Sequence, residues 1–234
     1  MSSPDFRAVQ REMAPRLAEF SDKIIQNEKL FSRIEAVYNS PEKSRLTPEQ
    51  QRLVWLYYSN FVRSGAKLTE KQKGRLSAIN QKLAGLFTKF SQNVLADENE
   101  QMLVLEHEND LAGLPLSVKN AAEEQAREKK IGGKWAIANT RSSIDPFLTY
   151  SGKRALREKA WKMFINRGDN GDEQDNNKVI TEILKMRRER ASLLGYPTHA
   201  HWRLENTMAK TPEKAPELLE AVWKPAVARV HQEV

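Results

Sequence analysis

From Leu76 to Val94 the apolar residues Leu76, Ile79, Leu83, Leu86, Phe87, Phe90 and Val94 recur at intervals of three and four. That is the period of a helix, so it predicts one long helix of about six or seven turns with a single apolar face. Thr69-Glu70-Lys71-Gln72 precedes it, a threonine cap whose glutamine, three residues on, can return to the cap backbone. A helix of this length needs helical neighbours, and short connections favour antiparallel ones.

The upstream sequence repeats the pattern. Phe6, Val9, Met13, Leu17, Phe20 and Ile24 predict a helix from Pro4 to about Lys29, with Pro15 placed to kink or split it. Leu30, Phe31, Ile34, Val37 and Tyr38 continue into a second segment that Ser40-Pro41 ends. Thr47-Pro48-Glu49-Gln50 is a strong start signal, with Leu53, Val54, Tyr57 and Phe61 as the expected buried face and Gly65 as the stop.

The texture changes at Gln101. Met102 to Leu105 and Trp135 to Ala138 read as short strands that can pair across an Ala- and Glu-rich helix, Ser117 to Lys130. Thr140 to Asp145 reads as a polar loop. Ser151 then caps a helix carrying Leu156, Ala160 and Phe164 on one face, which Gly168 stops. After an acidic loop, Asp169 to Asn177, a helix through Val179, Ile183 and Leu193 ends at Gly195-Tyr196-Pro197. Thr198 opens a short helix with Trp202 and Leu204. Thr211-Pro212-Glu213 opens the last one, with Leu218, Leu219, Val222, Trp223 and Val230 expected inside, Pro225 expected to kink it, and no stop signal before Val234. The expected fold is mainly α, antiparallel helix hairpins with a minor two-stranded β element near 101–105 and 135–138. It divides into a helical segment 1–100 and a second segment 101–234.

Few of these residues suggest chemistry. Cysteine is absent, which excludes disulfides and thiolate metal sites. His107-Glu108 is the only His-Glu pair, but position 111 is Leu where H-E-x-x-H needs a second histidine one turn on, so a surface loop is the better reading. His199 and His201 are two apart, about 200° around a helix, which favours packing beside Trp202 or exposure over a metal site. Asp169-Asn170-Gly171-Asp172-Glu173 resembles a calcium loop only at a glance: its sixth position is Gln174 and its twelfth Ile180, where glycine and glutamate are required. The carboxylate pairs Glu123-Glu124 and Glu217-Glu220 read as solvated helix faces. Trp55, Tyr57, Tyr58 and Phe61 read as core at helical spacing, and as a base-stacking platform only if exposed. No catalytic, cofactor-binding or metal-ligating residue is assigned.

The net charge of +7 permits contact with nucleic acid, but lysine and arginine are interleaved with glutamate along helices, which argues against it. No apolar run approaches the ~20 residues of a membrane span, and the first ten residues lack the apolar core of a signal peptide.

Several segments, in one linear order, resemble the M3 (thimet oligopeptidase-like) zinc peptidases, closest to the peptidyl-dipeptidase branch. They are 29–38, 46–68, 79–95, Asp110 to Pro115, Pro146 to Gly168 with its Asn166-Arg167-Gly168 ending, and 185–213. The most specific are Leu193-Leu194-Gly195-Tyr196 with nearby Trp202, and Met208-Ala209-Lys210-Thr211-Pro212.

The resemblance implies a parent enzyme that uses zinc to release dipeptides from the C-termini of short peptides. Its H-E-x-x-H motif and third zinc ligand would lie beyond this chain, in a C-terminal catalytic domain packed on it. This region would form part of a channel wall, inactive alone. Cytoplasm is the favoured compartment, with the periplasm left open. Helices made to pack on a missing domain should also leave an unusually large apolar surface exposed. The rival reading is a free-standing basic helical module that binds nucleic acid or an acidic protein.

Overall fold

The computed structural model describes residues 3–233. The described residues form ten α-helices and a two-stranded sheet. The helices are α1 (Pro4–Ile25), α2 (Glu28–Asn39), α3 (Pro48–Arg63), α4 (Glu70–Glu100), α5 (Leu116–Glu128), α6 (Arg141–Tyr150), α7 (Arg154–Ile165), α8 (Asn177–Leu193), α9 (His199–Leu204) and α10 (Lys214–Glu233). Strand β1 (Met102–Leu105) runs antiparallel to β2 (Trp135–Ala138), with Met102 opposite Ala138 and Leu105 opposite Trp135. The mainly helical fold and both strands are as the sequence predicts.

The described residues separate into two compact units, one of Ser3 and 86–181, the other of 4–85 and 182–233. The core of the first, called here the sheet unit, is Leu105, Leu111, Leu114, Ala122, Ile137, Ile144, Phe147 and Ala160. These come from β1, β2, α5, α6, α7 and the turn after β1, so the small sheet packs against three short helices.

The second, called here the helical unit, has a smaller aromatic core. Phe31, Phe61 and Ala66 pack with Ile25, Ile34, Tyr58 and Val62. Leu76, Ile79 and Leu83 of α4 and Ile183 and Ala191 of α8 are also buried in this unit.

The local signals account for most boundaries. At α3 the capping box is complete: Thr47 Oγ1 accepts from the Gln50 N–H and Gln50 Oε1 accepts from the Thr47 N–H. The same helix ends in a Schellman turn, in which the Ala66 N–H reaches the Phe61 carbonyl and the Gly65 N–H that of Val62. Gly65 has φ +95°, and a Cβ there would stand 2.5 Å from Leu76 Cδ2. Ser151 is buried and its hydroxyl accepts from the Lys153 N–H, but it is not the expected cap of α7: Lys153 holds that position and no side chain caps the helix.

Three more expectations are corrected. Residues 140–145 are not a loop, because α6 starts at Arg141 and runs through Pro146, with Ile144 and Phe147 fully buried three residues apart. Pro15 does not split its helix, which is continuous from Pro4 to Ile25, and α10 is likewise continuous across Pro225. The third concerns which faces are covered. In α3, Phe61 is buried but Leu53 and Tyr57 are exposed. In α4 the stripe is buried only to Leu83, and Phe87 and Phe90 are exposed. In α10 the five apolar residues expected inside are all exposed, Leu218 by 69% and Trp223 by 67%. The stripe of α1 is likewise outward, Phe6 at 60% and Phe20 at 62%, while Asp22 on the opposite side is buried. Periodicity sets that a helix has an apolar face; it does not say that this stretch of chain supplies the cover.

Candidate functional site

In the sheet unit the acidic loop is a closed structure built on α4. Asp97, buried near the end of α4, accepts hydrogen bonds from the Gly168 N–H (2.6 Å), Asn170 Nδ2 (2.9 Å) and Gln101 Nε2 (3.0 Å). Asn176, also buried, donates from Nδ2 to the Phe90 carbonyl at 3.2 Å and accepts from Asn93 Nδ2 at 2.9 Å. Gly168, at φ +73°, closes the loop, and a Cβ there would lie 2.7 Å from Asn176 Nδ2.

The loop carboxylates serve the loop itself. Asp175 accepts from the N–H groups of Asn177 and Gly171, which holds its carboxyl below the usual range, and Asp172 accepts from Gln174. The arrangement orders a turn between α7 and α8 and leaves no converging set of acidic oxygens for a cation. The sequence carries one trace of this hub: Asp97 falls three residues after Val94, on the register of the apolar stripe.

In the helical unit α9 is clasped to α3. Trp202 Nε1 donates to the Arg63 carbonyl at 3.0 Å, and the Arg63 guanidinium donates back to the Trp202 carbonyl and pairs with Glu205. Tyr196 Oη donates to Glu205 at 2.6 Å. The two histidines part company, as their spacing predicts. His201 Nδ1 lies 2.8 Å from Thr198 Oγ1, the hydroxyl that caps α9. His199 lies 5.5 Å from the Trp202 ring, and burial together with the cations of Arg187, Arg190 and Arg203 lowers its pKa to about 4.

The remaining candidates lie on the surface or in packing. His107 is exposed at the head of a short 3-10 turn, where its N–H donates to Asp110 Oδ2. Glu123 and Glu124 are exposed on α5 beside a hollow of about 520 Å³, and Glu124 pairs with Arg127. Glu217 and Glu220 are exposed on α10.

The aromatics of α3 divide. Phe61 is core, Tyr58 stacks on Tyr38 at 3.8 Å, and Tyr57 faces outward, contrary to its expected burial. Tyr57 lines an apolar groove of about 290 Å³ between α2 and α3 with Ile34, Val37, Leu53 and Val54.

Among the described residues no group of three or more histidine, aspartate or glutamate side chains is placed to hold a metal ion. The described residues therefore do not fit a catalytic zinc site, which takes three protein ligands and an open position. What the surface does offer is apolar: the outward stripes of α1 and α10 and the α2–α3 groove. Such faces bind other protein surfaces or peptides.

A mainly helical chain with a minor pair of antiparallel strands and bare amphipathic helices is what the peptidase resemblance implies for this region. That resemblance holds. Residues 147–234 match the family model described as Peptidase family M3. The whole chain is similar to the dipeptidyl carboxypeptidase of Escherichia coli, with 32% identity over 233 residues. It is also 33% identical over 235 residues to a probable cytosolic oligopeptidase A of Arabidopsis thaliana and 32% identical over 223 residues to oligopeptidase A of Haemophilus influenzae. These alignments cover 100%, 96% and 94% of this chain but 34%, 33% and 33% of the relatives. The chain thus spans about a third of the length of the curated relatives it matches. No helix among the described residues is long and apolar enough to cross a membrane.

Proposed function

We propose that this chain is the helical, non-catalytic part of a zinc-dependent oligopeptidase that hydrolyses short peptides and releases dipeptides from their C-termini. The observation that carries this reading is the similarity of the whole chain to one third of the Escherichia coli dipeptidyl carboxypeptidase. Zinc, its ligands and the general base belong, in this reading, to sequence outside the chain. The part played here is steric and positional. The helices wall a channel that admits short peptides and excludes folded proteins, and the apolar face of α10 receives the catalytic region. The cytoplasm is the compartment we assign.

The reading frame beyond Val234 provides the test. It should encode H-E-x-x-H and a downstream glutamate, and the extended protein should release dipeptides from N-blocked short peptides in a chelator-sensitive manner. The 234-residue chain alone should release none. A frame without that motif, or dipeptide release by the chain alone, overturns the proposal. Binding of nucleic acid that weakens steeply with salt would instead favour the basic-module reading.

A further inference from the structure

The hollow of about 520 Å³ in the sheet unit has no part in the peptidase reading. Its size falls within the ~300–1,000 Å³ of small-molecule sites. One wall is a single face of α5, where Asn120, Glu123, Glu124 and Arg127 follow at helical spacing. The other wall is the turn that leads into β2, from Gly132 and Gly133 to Trp135. A Cβ added at either glycine would meet nothing within 4 Å, so the turn side stands open.

The polar groups on these walls are unequally satisfied. Glu124 pairs with Arg127, and Lys134 pairs with Glu106. Arg127 is held protonated first by its hydrogen bond to Glu124 and further by the charges of Glu123 and Glu128, so carboxylates outnumber the cation on this face. Glu123 is exposed and makes no hydrogen bond or ion pair among the described residues. Lys119, one turn before it, and Lys130 line no part of the hollow and pair with neither Glu123 nor Glu124. On the facing wall the backbone N–H groups of Gly132 and Gly133, both exposed, and the indole N–H of the half-buried Trp135 have no hydrogen-bond partner among the described residues. A free carboxylate and the face of an aromatic ring take an ammonium group. Free N–H groups take a carbonyl or carboxylate oxygen. An amino acid carries both on adjacent atoms, an ammonium group on Cα and a carbonyl carbon next to it.

We propose that the hollow between α5 and the turn before β2 binds the α-ammonium end of an amino acid, free or as the first residue of a peptide. The ammonium group donates to Glu123 and lies beside the Trp135 ring. The adjoining carbonyl or carboxylate oxygen accepts from the N–H groups of Gly132 and Gly133. The site involves no hydrolysis and does not rest on the peptidase reading.

Calorimetric titration of the 234-residue chain at pH 7 tests this with three probes: phenylalanine, alanyl-phenylalanine and N-acetyl-alanyl-phenylalanine. The Trp135 indole N–H resonance provides a second readout. Saturable binding of phenylalanine or alanyl-phenylalanine, with a shift of that resonance, is expected, and which of the two binds more tightly identifies the source of the ammonium group. The acetylated peptide, which has lost that group, should bind at least about tenfold more weakly than alanyl-phenylalanine. Glu123→Gln should weaken binding of the free ligands by about the same factor, and since Glu123 is exposed the variant should keep the native fold. Absence of saturable binding by both free ligands overturns the site. So does equal binding of the acetylated peptide, which needs no variant to read, or binding that Glu123→Gln leaves unchanged.

Discussion

The sheet unit and the helical unit use apolar residues in opposite ways. In the sheet unit a set of large side chains forms a closed core, although Leu116, Trp161 and Ile165 stay exposed: Leu105, Ile144 and Phe147 have no exposed surface, and the buried polar groups Asp97 and Asn176 have hydrogen-bond partners. In the helical unit two of the longest amphipathic helices, α1 and α10, turn their apolar stripes outward. Among the residues of α10 only Ala215 and Val227 are even half-buried. The first unit has the packing of a self-sufficient core. The second has the surface of a piece made to be covered, as the proposed peptidase reading requires. The lesson is that amphipathic pattern and burial are separate facts, joined only when the covering surface is present.

The largest effect that would sharpen this contrast comes from one aromatic in each unit. Phe147→Ala should cost about 3–5 kcal/mol of unfolding free energy. Trp223→Ala, on the bare face of α10, should stay within about 0.5 kcal/mol. Urea denaturation of both variants checks this, and equal losses would erase the distinction. Next comes Asp97→Ala, which strips the acceptor from the Gly168 N–H and two side-chain amides. A loss of about 3 kcal/mol is expected, with Asp97→Asn costing less because one acceptor oxygen remains.

Thr47→Ala breaks the capping box of α3 and should cost about 1 kcal/mol, read by the same denaturation. The smallest effect is a pH dependence within the helical unit. His199 titrates near 6.5 when unfolded and near 4 when folded, so the unfolded chain takes up the proton first as pH falls. Its contribution is therefore intact at pH 7 and is lost as pH drops from about 6.5 towards 4. His199→Gln should flatten that part of the stability profile, seen in thermal melts across the same range.

Much of this architecture was legible in the sequence because its signals are local. Thr47 and Gln50, Gly65, and the two short apolar runs at Met102 and Trp135 mark structure through neighbours a few residues away. α6 was not legible, because Thr140, the serines and Pro146 read as loop formers, while the burial of Ile144 and Phe147 that decides the matter is tertiary. The Asp97–Gly168 contact and the Arg63–Trp202 clasp join residues 71 and 139 positions apart, which no local pattern encodes. The outward face of α10 runs against its expected burial for the same reason: cover is a property of the partner surface. The surface placement of His107 follows its reading from spacing, while the packing of His199 on Trp202 is tertiary.

The central claim is that α1 and α10 present uncovered apolar faces while the sheet unit carries a closed core. Amide hydrogen exchange of the 234-residue chain tests it directly. The account predicts strong protection in β1, β2, α5 and α6, and exchange orders of magnitude faster along α10 and the outer half of α1. Protection in α10 equal to that of the sheet unit would contradict it, since a helix protected to that degree must be packed on something.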